Sequence, residues 1–418
     1  MAQETSIDAL DFASLIRPGD FVVWGQASAE PVVLTDALMR QRHIVGPFTA
    51  FIGMTWSPVL EAACTDFVST ISYCGSGRNR QFGEHLDIMP LHYSALPAAL
   101  AERVDVLMLC VAPEAPDGTF SLGTAHEYLV PLIEKARVVI AEVNDRMPWT
   151  FGERSLSRAD IDIMVRTSRP LVEDRRAAPG DADEIIARHV ASLVEDGATL
   201  QIGLGSLPDA VLRALRSHRD LGIHSGLVSD GVVDLIEAGA VTNARKTIDV
   251  GFSVAGLACG SHRLFDHIHV NQAFLFRSTG YTHALSVLER IDRLTAVNAA
   301  IEADLTGQIN AEVAAGRYVG AVGGAMDFIR GAHRSHGGLP IVCLPARATG
   351  RDGPVSRIVA RLNGPVSTPR ADAGIFITEF GIADLRGLSL KERRRRMIDI
   401  AAPEFREALS EAAAAQPS

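Results

Sequence analysis

Short apolar runs recur along the chain, separated by stretches in which apolar residues return every three or four positions. The runs are Phe21–Trp24, Val104–Val111, Val138–Glu142, Thr199–Ile202, Arg317–Val322, Pro340–Pro345 and Gly374–Thr378. They are apolar on both faces, as strands of a parallel sheet covered by helices are. Between them the spacing predicts helices, for example over Asp183–Leu193 and Asp209–Arg216. The alternation predicts an α/β fold.

The pattern also repeats weakly within the chain. Phe21-Val-Val-Trp-Gly25-Gln-Ala27-Ser28-Ala-Glu-Pro31 runs into Val33-Leu-Thr-Asp-Ala-Leu-Met, and Leu200-Gln-Ile-Gly203-Leu-Gly205-Ser206-Leu-Pro208 runs into Asp209-Ala-Val-Leu-Arg-Ala-Leu. Each reads as a strand, a tight turn of small residues, a proline suited to a helix start, and a helix. Chance likeness of two strand–turn–helix units is the alternative. The repeat predicts two related halves, 1–180 and 181–418, joined in the charged, Pro/Gly-containing stretch Val172–Asp183.

The length of 418 residues accommodates two domains, and 47% hydrophobic residues supply ample core. A net charge of −10 argues against nucleic-acid binding, whose footprint is basic. It leaves room for an anionic ligand, because local amide nests and helix ends hold phosphate on acidic proteins. Cys64, Cys74, Cys110, Cys259 and Cys343 form no CxxC pair and read as reduced, buried thiols of a cytoplasmic protein. No signal-peptide pattern opens the chain and no apolar run approaches 18 residues, so neither export nor a membrane span is expected.

Several segments carry candidate chemistry, each beside a structural alternative. Gly203-Leu-Gly205-Ser206-Leu-Pro208 could aim backbone amides and a helix N-terminus at phosphate; Pro208 replaces the third glycine of a dinucleotide fingerprint, and a plain strand-to-helix turn is the alternative. Gly323-Gly324 could bring amides to a developing oxyanion, or serve a turn that needs positive φ. Ser225 follows His224 directly, so the two point to opposite faces of a strand and make no nucleophile–base pair. His262, His267 and His269 match no zinc spacing. Lys391–Arg396 reads as a solvated helix face, with contact to a ligand phosphate as the alternative. Glu379 sits at a strand end before Gly381, a favoured place for a functional group and also for a helix N-terminal acid.

Taken together and in order, these stretches resemble the acetyl-CoA hydrolase/transferase family, particularly its 4-hydroxybutyrate and acetate CoA-transferases. The carriers are Ala112-Pro113, Asp117-Gly118-Thr-Phe-Ser121-Leu-Gly123, Ala141-Glu142-Val-Asn144, Gly203–Asp209, Ser229-Asp-Gly-Val-Val-Asp, Val297-Asn298-Ala-Ala-Ile-Glu302-Ala-Asp304, Gly323–Phe328, Val355–Val359, Thr368-Pro-Arg370 and Thr378–Gly387. The resemblance implies two similar open α/β domains of the class I CoA-transferase (NagB/RpiA-like) type with the active site between them. It implies an enzyme that handles acyl-CoA with a small carboxylate, needs no metal, takes coenzyme A only as part of its substrate, and forms a homodimer. It also implies roles. Asn298 and the Gly323–Gly324 loop supply the oxyanion hole, Glu379 helps hold the carboxylate substrate, and Gly203, Gly205, Ser206 and the Gly323–Gly324 loop meet CoA.

The nucleophile is missing. Where the family keeps the glutamate that attacks the thioester, this chain reads His224-Ser225-Gly226-Leu227, and Gly226 can form no anhydride. The stretch ahead of Asn298 departs too, reading Phe274-Leu-Phe276-Arg277-Ser-Thr-Gly280-Tyr281. Two enzymatic readings stay open: CoA transfer using another carboxylate, with Glu30, Glu302 and Glu379 as candidates, or hydrolysis of a thioester or of a C–C bond in a β-oxoacyl-CoA, with Glu379, Glu30 or His224 activating water. A non-catalytic CoA-binding protein is the third.

Overall fold

The computed structural model describes residues 2–174 and 178–415. The chain divides into two compact units. The first gathers Met1–Arg175, Gly226–Asp230 and Phe252–Thr282; the second gathers Arg176–Ser225, Gly231–Gly251 and His283–Ser418. The compact units thus differ from the expected halves 1–180 and 181–418 in two stretches of the second half, and strand pairing is the reason. Phe274–Phe276 pairs in parallel with Phe151–Gly152 and Ser253–Ala255, and Leu227–Val228 pairs with Leu257–Ala258. Residues 175–177 of the proposed joint lie outside the described residues.

An eight-stranded parallel sheet forms the frame of the first unit. Its spatial order is Gln3–Thr5, Ile163–Thr167, Val138–Asn144, Val106–Val111, Phe21–Trp24, Phe48–Phe51, Val68–Ser72 and Leu86–Ile88. The two longest strands, Val106–Val111 and Val138–Asn144, are buried at every residue, as expected of parallel strands covered on both faces. Trp24, Phe12, Leu34, Met108 and Ile140 pack together on one side of this sheet. The chain runs from Phe21–Trp24 outward through three strands and then returns to the other side of Phe21–Trp24 with Val106–Val111. Strand order therefore reverses at Phe21–Trp24, and the loop beginning at Gly25 leaves the sheet at that point.

The second unit has a six-stranded sheet in the order Gly222–Ile223, Thr199–Ile202, Leu294–Ala299, Leu339–Cys343, Ile375–Thr378 and Gly381–Asp384, parallel except for the last pair. Here the order reverses at Thr199–Ile202. Its helices include Asp181–Leu193, Ser206–Ala214, Ala325–Arg334 and Leu390–Asp399. The repeated strand–turn–helix thus occupies the corresponding reversal point of each sheet. In the first copy a 3-10 turn, Ala27–Ala29, precedes the helix Val32–Val45; in the second the helix begins at once.

Two local expectations change. The helix placed at Asp209–Arg216 begins at Ser206, so Pro208 falls in its first turn, where its missing N–H costs nothing. Arg317–Val322 is not a sheet strand: only Arg317–Tyr318 is extended, paired antiparallel with Val313–Ala314 around a turn with positive φ at Ala315 and Gly316. Among the described residues no helix is long and apolar enough to cross a membrane. All five cysteines are free and buried.

Candidate active site

Each sheet offers a place for a ligand where its strand order reverses, in the crevice beyond the carboxyl ends of the strands. In the second unit Gly203, Gly205, Ser206 and Asn298 lie at this reversal, while Glu379 ends a strand further along the sheet. Asn298, near the end of Leu294–Ala299, is half-buried, and its Nδ2 donates to Gln201 Oε1 at 3.0 Å. Gly203 and Gly205 lead into the helix that starts at Ser206, with Gly205 at φ +138, a conformation only glycine holds without strain. A side chain on Gly203 would come no nearer than 4.0 Å to its surroundings, so the turn has an open face.

Gly323 has φ +57 and Gly324 caps the helix Ala325–Arg334. The pair therefore follows an irregular segment, not a strand, and its amides precede a helix N-terminus. Glu379 ends Ile375–Thr378 and is half-buried; its Oε2 accepts from the amide of Ala346 at 2.7 Å. Ser225 is tied through its Oγ to the carbonyl of Ile202 at 3.2 Å, and His224 is fully buried.

Two of the other candidate carboxylates are structural ties. Glu302 accepts from the Asn310 side chain, the Asn363 amide and side chain, and the Gly364 amide, which pins the 363–364 turn. Glu30, in the first unit, accepts from the amides of Trp56 and Ser57 and from Ser57 Oγ. Burial raises its carboxyl above the ordinary carboxylate range. The histidines of the 262–269 segment serve separate ends: His262 is exposed beside Glu173, His267 packs edge-on against Phe274, and His269 accepts from the Trp149 amide. Among the described residues no group of His, Cys, Asp or Glu is arranged to hold a metal ion. Phe274 and Phe276 are buried, and His126 stacks on Phe276.

Gly226 belongs to the first unit. Its carbonyl accepts from the amides of Gly256 and Leu257, each at 3.1 Å. On the other side of Gly256, the carbonyl of that residue accepts from the His126 amide at 2.9 Å and from the Glu127 amide at 3.4 Å. A carbon placed on Gly256 would lie 3.1 Å from Gly226 O and 3.4 Å from Glu127 Cβ. Glu127 thus stands beside Gly226. Glu127 is 2% exposed. Oε1 accepts from Gln26 Nε2 at 2.7 Å and Oε2 from Tyr93 Oη at 2.6 Å. Gln26 is itself fixed, donating also to Tyr93 Oη and accepting from Tyr73 Oη and the Met54 amide. Burial pushes the Glu127 carboxyl up to about 7, against the pull of its two hydrogen bonds.

Sequence reasoning passed over Glu127. Its neighbours in the chain are unremarkable, and its partners come from residues 26 and 93, with Tyr73 holding Gln26 in turn. Its one visible signal was a lone acid in the otherwise uncharged, largely apolar run Phe120–Leu132, flanked by a histidine and a tyrosine.

Residues 3–179 match the acetyl-CoA hydrolase/transferase N-terminal domain, and residues 260–413 match the acetyl-CoA hydrolase/transferase C-terminal domain. The chain belongs to the acetyl-CoA hydrolase/transferase family. Within that family of enzymes it is similar to the 4-hydroxybutyrate coenzyme A transferase of Clostridium kluyveri, with 34% identity over 97% of this chain and 96% of the relative. Among solved structures it is similar to RipA from Yersinia pestis, with a TM-score of 0.92 and 33% identity over 99% of this chain and 97% of that one. It is also similar to 4-hydroxybutyrate CoA-transferase from Porphyromonas gingivalis, with a TM-score of 0.83 and 32% identity over 98% and 96%. The α/β fold of two CoA-transferase-type domains expected from the family resemblance is the fold these relatives share.

Proposed function

We propose that this enzyme acts on an acyl-CoA thioester and transfers CoA to a small carboxylate. The observation that carries the reading is the end-to-end match to a relative named as a CoA transferase. On this reading a nucleophile adds to the thioester carbonyl, the C–S bond breaks, and CoA leaves as thiolate. Asn298 Nδ2 and the amides of the Gly323–Gly324 loop are assigned to the developing oxyanion, Glu379 to the carboxylate substrate, and Gly203, Gly205 and Ser206, with the Gly323–Gly324 amides, to CoA. Preorganised donors of this kind are the largest single contribution in many acyl-transfer enzymes. The proposal includes cytoplasmic operation, which suits five free buried thiols, and a homodimer, which mass photometry checks.

Gly226 favours a second reading, hydrolysis. On this reading Asn298 and the Gly323–Gly324 loop stabilise a tetrahedral intermediate, and water takes the place of the glutamate nucleophile. One assay separates the two. The protein is incubated with a panel of acyl-CoAs with and without acetate, succinate or 4-hydroxybutyrate, following free thiol by a chromogenic reagent and new CoA esters by mass spectrometry. Exchange that requires an acceptor supports transfer. Thiol release without an acceptor supports hydrolysis. Neither, with CoA binding intact, refutes both.

A further inference from the structure

A carboxyl group buried with its own set of donors, beside the one position where the family's carboxylate is gone, calls for an explanation beyond packing. The loop that carries Gln26 leaves the first unit's sheet where strand order reverses, which is where open α/β sheets bind ligands. That loop is strained: Ala27 has φ +52, outside the region favoured by residues with a Cβ, and such strain persists where the surroundings enforce it for function. Gly53 lets the loop close in, since a side chain there would come within 2.6 Å of Gln26 Oε1 and 2.8 Å of Tyr128 Oη. The same region concentrates buried polar atoms without a hydrogen-bond partner in the protein: Ser28 Oγ, Thr124 Oγ1 and Thr279 Oγ1. Buried hydroxyls are satisfied almost everywhere in proteins, so several in neighbouring segments mark a place built for something else.

We infer that Glu127 is the general base that replaces the missing nucleophile, accepting a proton from a water molecule that attacks the thioester carbonyl. The inference rests on the second reading above, hydrolysis of an acyl-CoA. The water oxygen forms the new C–O bond while its proton passes to the Glu127 carboxylate. The C–S bond then breaks, and the proton goes on to the CoA sulfur, giving a free acid, CoA thiol and the original carboxylate. Depth decides between base and nucleophile. A carboxyl on a residue 2% exposed suits a water and a proton better than a covalently held CoA chain. Gln26 and Tyr93 are positioning residues: each fixes one oxygen, and each oxygen keeps a lone pair for the water. The titratable groups around Glu127 are the phenols of Tyr73, Tyr93 and Tyr128, the thiols of Cys74 and Cys259, and the His126 imidazole beside the Arg277 guanidinium. Burial holds all three phenols well above 10 and His126 down at about 3. Cys74 is likewise raised by burial.

The test is thiol release from acyl-CoA, without an acceptor, as a function of pH. For the wild type, kcat/KM rises through about pH 7, where the free enzyme's base loses its proton. Glu127→Gln lowers kcat by about 10²–10⁴-fold, with CoA affinity measured by calorimetry unchanged. Tyr93→Phe, which keeps the carboxyl and removes one bond that stabilises its charged form, moves the acidic limb to higher pH. A purely structural Glu127 would not move that limb, and Tyr93→Phe keeps the question decidable should Glu127→Gln fold poorly. Activity of Glu127→Gln within threefold of wild type, an unmoved limb in Tyr93→Phe, or a wild type that transfers but never hydrolyses overturns the inference. A wild type inert towards every acyl-CoA, alone or with acceptors, overturns the reading beneath it as well.

Discussion

The raised Glu127 carboxyl makes a prediction about stability that is independent of activity. Burial lifts this group from 4.5 to about 7. Between those values the native protein keeps a proton that the unfolded chain has lost, so the unfolded state binds fewer protons and stability falls as pH rises. The gap, at about 1.36 kcal/mol per pH unit, amounts to about 3 kcal/mol by pH 8, and the loss is complete once pH exceeds the native value. Below 4.5 both states are protonated and nothing is lost. Glutamine at 127 cannot ionise and so escapes this cost. It gives up one good acceptor, which is about 1 kcal/mol. Glu127→Gln should therefore be less stable than wild type by about 1 kcal/mol at pH 4 and below, nearly equal to it at pH 5, and more stable by about 2 kcal/mol at pH 8. Urea midpoints of both proteins across pH 4–9, compared at equal m, read this directly. Groups elsewhere that titrate in the range, such as Lys246, lowered by burial to about 8, cancel in the difference. Two stability curves that stay parallel over the whole range would show that Glu127 is not the group holding a proton, and the base assignment would fail with it.

Four further outcomes are expected. Arg169→Met strands the buried Glu142 carboxylate, to which Arg169 Nε donates at 2.6 Å, and should cost about 3–5 kcal/mol in denaturant unfolding. Asn298→Ala should lower kcat by about 10²–10³-fold with KM within a few-fold; an unchanged kcat would remove Asn298 from the oxyanion role. Gly320→Ala places a carbon 1.9 Å from Ala311 O, so Tm should fall by the equivalent of about 1–3 kcal/mol, and an unchanged Tm would mean the 311–320 pairing is not as close as described. Gly226→Glu should raise acceptor-dependent CoA exchange and create a hydroxylamine-sensitive adduct at residue 226, detectable by peptide mass spectrometry. The backbone at 226 has no positive φ to resist a side chain. No gain in exchange would mean that position 226 does not correspond to the family's glutamate.

The central strands were legible because burial on both faces leaves no room for polar alternation. Phe21–Trp24 and Thr199–Ile202 begin and end at the residues the apolar runs marked. Arg317–Val322 misled for the same reason: Val319, Ala321 and Val322 look like strand residues, but Ala315 and Gly316 turn the chain back so tightly that only two residues pair. Asn298, Glu379 and the Gly203–Gly205 turn could be named from local motifs, since each stands at a strand end beside small residues, and the Gly323–Gly324 pair could be named because it precedes a helix. Glu127 could not, because what makes it unusual is assembled by Gln26, Tyr73 and Tyr93 from three other loops. Glu30 and Glu302 were plausible from their positions alone; only their donors show that each already anchors a turn.

The first unit draws its sheets from three separated pieces of chain, and this has a consequence for how the protein is made. A ribosome that has emitted residues 1–175 has delivered the whole eight-stranded sheet but not Leu257–Ala258 or Phe274–Phe276, the partners of Leu227–Val228 and Phe151–Gly152. About a hundred more residues must be synthesised first, which takes roughly 5–20 s at ordinary rates. During that interval Phe151 and its surroundings lack their pairing strand, while the second unit is itself only begun. The nascent protein therefore passes through a window in which neither unit is closed, and the N-terminal 180 residues expressed alone should behave as a sticky, incompletely paired fragment.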